Sequence, residues 1–166
     1  YYEGKYIARD INKSIHYFSL AANQNHPDAQ FYLGFIYYSG KYITRDINKS
    51  IHYLSLASNQ NHSKAQLHLG FIYYSGKYIT RDINKSIYYL SLAANQNHPD
   101  AQYYLGLIYI GGFYIEKNMI KGIDLLIQSS SNKMKEAHFL VGYFYHEGKY
   151  VSRDIKKAIH YYKEGS

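Results

Sequence analysis

One fifteen-residue stretch, YYSGKYITRDINKSI, stands at residues 37–51 and again, unchanged, at residues 73–87. The copying extends over the whole chain. In blocks starting at residues 1, 37, 73, 109 and 145, Gly4, Gly40, Gly76, Gly112 and Gly148 share a column without any gap. Asp10, Asp46, Asp82, Asn118 and Asp154 share another. Blocks 37–72 and 73–108 differ at seven of 36 columns. A strict period of this size marks an array of supersecondary units, each unable to bury its apolar faces alone.

The unit reads as a helix hairpin. In DAQFYLGFIYYSG, residues 28–40, Ala29, Leu33, Ile36 and Tyr37 draw one apolar stripe at helical spacing. Gly40 ends this helix A, because glycine accepts the left-handed conformation that a helix end often needs. A short connector, KYITR, leads to Asp46, whose carboxylate is suited to accept the free N–H groups of a first turn. Helix B follows, with Ile47, Ser50, Ile51, Leu54, Ala57 and Ser58 again at helical spacing. Asn61 is placed to stop it, asparagine being next after glycine in tolerating the left-handed region. Pro27 and Pro99 stand where the next helix starts. Ala29, Gly34, Ser50 and Ala57 fall where neighbouring helices have to approach closely, with Leu33, Tyr37 and Leu54 filling the space between. Residues 1–27 are then a partial repeat of helix B and loop. Residues 28–63, 64–99 and 100–135 are complete repeats, and 136–166 a nearly complete one, all in a single solenoid. The chain starts part-way through a repeat and shows no polar capping repeat at either end, so the expectation is an excerpt of a longer chain. Block 109–144, with Asn118 at the cap, Gly122 at the small position and SSSNKMKEA in the loop, is expected to be the least regular and least stable hairpin.

The series Ala29, Leu33, Gly34, Tyr37, Gly40, Asp46, Ser50, Ala57, Ser58 and Asn61 resembles the pattern of Sel1-like repeats, relatives of tetratricopeptide repeats, and recurs over essentially the whole chain. Two departures stand out: Tyr42 and Ile43 replace the family's glycine–valine, and asparagine replaces its glycine after helix B. The resemblance implies an all-α fold, a right-handed α/α superhelix of stacked helix-turn-helix repeats. It also implies a scaffold or adaptor role through protein binding, in degradation, signalling or host–microbe contact.

By that analogy the A helices line a concave side. Four trios at i, i+4, i+7 spacing are the candidate groove: Phe31, Phe35 and Tyr38; Leu67, Phe71 and Tyr74; Tyr103, Leu107 and Ile110; Phe139, Tyr143 and His146. An aromatic and aliphatic trough suits an extended peptide or an amphipathic helix. The other use of these side chains is packing on the next helix A. A second set forms a basic edge along the connectors: Lys5 and Arg9, Lys41 and Arg45, Lys77 and Arg81, Lys149 and Arg153. Lys13, Lys49, Lys85, Lys121 and Lys157 extend it onto helix B. With a formal net charge of +7, this edge is either a solvated rim or a surface for an acidic partner.

Composition excludes some chemistry. Without cysteine there is no disulfide framework and no thiolate metal site or nucleophile. The nine histidines recur one repeat apart and do not converge, so no metal or other cofactor is expected. Ser, His and Asp recur in every unit, whereas a triad needs one convergent pocket; no catalytic residue is assigned. Nucleic acid and membrane insertion are disfavoured as partners. The leading expectation is a scaffold that binds a partner peptide or helix in the aromatic groove. The alternatives are an accessory region of a larger multidomain protein, such as a kinase, with its chemistry elsewhere, and an electrostatic binder of an acidic partner.

Overall fold

The computed structural model describes residues 11–166 of the chain. Nine α-helices and no strand occur among the described residues: α1 (Ile11–Asn23), α2 (Pro27–Ser39), α3 (Ile47–Asn59), α4 (Ser63–Ser75), α5 (Ile83–Asn95), α6 (Pro99–Gly111), α7 (Met119–Ser131), α8 (Lys135–Glu147) and α9 (Ile155–Gly165). The even-numbered ones are the A helices and the odd-numbered ones the B helices. The chain divides into two compact units, residues 1–82 and 83–166. The first contains α1–α4 and the second α5–α9, and each sequential pair within a unit packs together.

The punctuation works as the sequence implies. Gly40, at φ +61°, turns its N–H back to the Ile36 carbonyl and ends α2. The connector then doubles back, so that the Asp46 N–H donates to the Tyr37 carbonyl at 3.1 Å. The Asp46 carboxylate accepts the Lys49 N–H at 2.9 Å and starts α3. Equivalent returns run from Asn118 to Tyr109 and from Asp154 to Tyr145. Asn25, Asn61 and Asn97 adopt φ near +60° after the B helices, and Lys133 does so in the fourth loop.

Packing between A and B depends on small residues. A Cβ placed on Gly34 would stand 2.6 Å from Leu54 Cγ, closer than real contacts allow. That proximity buries Leu33, Ile36, Leu54 and Ala57 to 2% exposure or less, each large side chain contributing about 1.5–3 kcal/mol. Tyr37 stacks parallel on Tyr53, as Tyr145 does on Tyr161. The α6–α7 hairpin departs from the expectation of irregularity. Both its helices have thirteen residues, and Asn118 Oδ1 accepts the Lys121 N–H at 3.0 Å, replacing the aspartate cap without loss.

One buried polar column was not foreseen. Gln30, Gln66 and Gln102 are at most 1% exposed. Their Nε2 groups donate to the Ala22, Ser58 and Ala94 carbonyls near the end of the preceding helix B. Their Oε1 atoms serve the following hairpin: Gln30 accepts from Gln60 Nε2 at 2.8 Å, and Gln102 from Asn132 Nδ2 at 2.9 Å. The Gln30 and Gln102 amides are thereby satisfied in both directions, as burial of a polar group requires.

Candidate functional site

The exposed faces of the A helices carry the candidate site. On α2 the solvent-facing positions are Asp28, Tyr32 and Phe35, with Tyr38 half-buried beside them. This is the expected face turned by one position. Phe31 is buried at 8% exposure, against the expectation of an open groove residue, and so is Leu67 at 7%. The reason is visible at Phe31. Its ring stacks on the His62 imidazole at 4.8 Å and meets the His68 ring edge-on at 5.4 Å, both from the α4 segment. Phe31 therefore serves as a contact between α2 and the α4 segment.

His62 is fixed on three sides. Its Nδ1 accepts the Ala65 N–H at 3.1 Å and so caps α4, a role that requires an unprotonated Nδ1. The proton then sits on Nε2, which donates to Asp28 Oδ1 at 3.1 Å. The ring lies between this polar clasp and Phe31.

In the first unit, Phe35 at 36% and Tyr74 at 38% remain exposed, while Tyr38 and Phe71 are half-buried. In the second, Tyr103, Leu107 and Ile110 are half-buried, and Phe139 (63%), Tyr143 (46%) and His146 are exposed. Burial, then Tyr104 and Glu136, raises the Tyr103 hydroxyl above its ordinary pKa. Tyr32 and Tyr104, both 38% exposed, belong to the same faces and were missed. The signal was available: their column varies between Tyr32, His68 and Tyr104 in otherwise near-identical repeats.

The basic edge is largely engaged with the protein itself. Arg45 Nε donates to the Tyr38 carbonyl at 2.8 Å and Nη2 to the Ser39 carbonyl at 3.0 Å, capping the α2 C-terminus, where a cation is favoured. Its guanidinium also lies 4.3 Å over the Tyr78 ring. Arg81 Nη2 reaches the Ser75 carbonyl at 3.3 Å. Lys41, Lys77 and Lys149 sit over Tyr42, Tyr78 and Tyr150, and Lys49, Lys121 and Lys157 over Tyr37, Tyr109 and Tyr145. Arg153 is exposed. Lys5 and Arg9 lie outside the described residues. Among the described residues no group of three His, Asp or Glu is placed to hold a metal ion, and no helix is long and apolar enough to cross a membrane.

Tandem helix hairpins docked through glycine contacts define an all-α repeat protein of the α-solenoid class. The chain belongs to the Sel1 repeat family, whose profile matches residues 1–26, 27–62, 63–98, 99–133 and 135–166. Among solved structures, a Sel1 repeat protein from Oxalobacter formigenes is 27% identical, with a TM-score of 0.90 over 99% of this chain and 67% of its own. A protective antigen of uropathogenic Escherichia coli with an SLR fold is 23% identical, with a TM-score of 0.85 over 91% of this chain and 32% of its own. Cysteine rich protein B of Helicobacter pylori is 25% identical, with a TM-score of 0.62 over 81% of this chain and 96% of its own. A sequence comparison with curated proteins finds no match. Sel1 repeat proteins are in general protein–protein interaction modules and typically non-catalytic scaffolds.

Proposed function

We propose that the protein is an interaction scaffold whose A helices hold a partner peptide or amphipathic helix against their exposed aromatic faces. One observation carries this reading. After every packing column is filled, Tyr32, Phe35 and Tyr74 in the first unit, and Tyr104, Phe139 and Tyr143 in the second, still meet solvent. Large rigid rings of this kind supply most of the affinity in peptide recognition. A purely electrostatic role is less favoured, because Arg45 and Arg81 already cap helix ends.

The test is selection of binders from a random peptide library displayed on phage. Selected peptides should bind nearly independently of salt and lose about tenfold in affinity to the Phe35→Ala/Tyr74→Ala protein. Both side chains are exposed, so the fold should survive, whereas Phe31→Ala would open a buried contact and confound the result. Steep loss of binding with added salt and indifference to the double substitution would transfer the function to the basic edge.

A further inference from the structure

The α6–α7 hairpin carries a second candidate surface, on its connector and the start of α7. In the sister repeats, the residue after the loop glycine is Lys41, Lys77 or Lys149, and the second residue of helix B is Asn48, Asn84 or Lys156. Here those columns hold Phe113 and Ile120, which are 86% and 76% exposed. Polar residues have been exchanged for large apolar ones at two of the most open positions of the repeat, where no packing requires them. Tyr114, at 52%, stands beside Phe113. The Phe113 ring lies against Gly111, where a Cβ would stand 3.0 Å away; the other repeats have Ser39, Ser75 and Glu147 at that position.

The same connector walls a cleft of about 440 Å³, lined by Ile87, Tyr109, Ile115, Glu116, Lys117 and Lys121 together with Asn118. Its surroundings are cationic. Asn118 caps α7 without adding a negative charge. Lys117 occupies the column of Arg45 and Arg81, yet its ammonium group makes no hydrogen bond or ion pair among the described residues. Lys121 Nζ donates to the Tyr109 hydroxyl at 2.8 Å. Along the connector and the first turn of α7, Lys117 and Lys121 stand against the single carboxylate Glu116, and all three line the cleft. Exposed apolar anchors inside a field of positive charge are complementary to an acidic segment with an apolar side chain of its own.

We propose that this corner of the hairpin binds an acidic peptide segment through one bulky apolar residue. The apolar residue sets against Phe113, Ile120 and the cleft, and the flanking carboxylates pair with Lys117 and Lys121. The site shares no residue with the exposed aromatic faces, and its test separates the two.

The probe is a fluorescein-labelled peptide of aspartate and glutamate around a Leu-Trp pair, titrated against the full chain by fluorescence anisotropy. Versions with lysine for the acids, or serine for Leu-Trp, serve as controls. The decisive variant is Phe113→Lys, which installs the sister repeats' own residue and adds a positive charge. Anchored binding predicts affinity about tenfold weaker, whereas simple charge attraction predicts tighter binding. Ile120→Asn and Lys117→Gln should each weaken the acidic peptide, and Phe35→Ala should leave it unchanged. The proposal is overturned if Phe113→Lys binds as well as or better than the parent, or if the probe does not bind the parent at all. Loss of adsorption to phosphatidylserine vesicles in Phe113→Lys, with peptide binding intact, would also overturn it and assign the corner to a membrane surface.

Discussion

The α2–α3 and α6–α7 hairpins reach one backbone geometry by different chemistry. In α2–α3, glycine stands on one side only: Gly34 receives the Leu54 side chain, and Ser50 occupies the matching small position on helix B. In α6–α7, glycine stands on both sides. A Cβ on Gly122 would meet Ile110 Cγ1 at 2.5 Å and the Gly106 carbonyl oxygen at 2.8 Å, so backbone lies against backbone. A guanidinium caps α2, while the equivalent Lys117 leaves α6 without such a cap. Asn61 takes the left-handed turn after α3, and Lys133 takes it after α7. The repeat is thus defined by a few geometric demands, namely close approach, a return of the connector and a left-handed stop. Several residue types satisfy each of them, at different energetic cost.

The contrast is sharpest at the glycine contact. Gly122→Ala should destabilise the protein by about 1–3 kcal/mol, because a carbonyl cannot retreat as a side chain can. Gly34→Ala should cost somewhat less, because the nearest facing backbone atom, the Leu54 N, stands at 3.1 Å rather than 2.8 Å, although the buried Leu54 side chain has to shift. Urea denaturation of the two variants side by side checks this, and equal losses would mean that the two interfaces are equally rigid. Next in size, Arg45→Ala should lose about 1–2 kcal/mol with its cap and its ring contact, while Lys117→Ala should stay within about 0.5 kcal/mol of the parent. A large effect at Lys117 would show that its ammonium group supports α6 after all. The smallest change is a gain. Lys133→Gly relieves a left-handed backbone and should stabilise the fold by about 0.5–1 kcal/mol, read as a raised Tm. Asn61→Gly should move it by only a few tenths, because asparagine already tolerates that conformation.

The sequence made the hairpins legible because their signals are local. Gly40, Asp46 and Asn61 each act within one turn of themselves, and all three behave as their chemistry requires. The small-residue contacts were legible too, since Gly34 and Ala57 fall on helical stripes. What failed depends on how one repeat meets the next. Phe31 and Phe35 share a stripe, but whether a side chain is covered is decided by the rotation between successive A helices, and that rotation placed His62 and His68 over Phe31. The Gln30 column stayed hidden for a related reason. Glutamine reads as a surface residue until a carbonyl from the preceding helix and an amide from the following one are brought to it. Divergence at residues 113 and 120 was on view from the start, but its meaning required knowing that neither side chain is packed.

That glutamine column has an evolutionary corollary. Gln30 and Gln102 each offer the preceding helix B a donor and the following hairpin an acceptor, at the same two side-chain atoms. Unequal crossing-over between the glutamine-bearing repeats, inserting or excising 36 codons at equivalent points, rejoins matching partners. Length is then a quantity that recombination can adjust in whole steps, and the number of exposed aromatic faces changes with it.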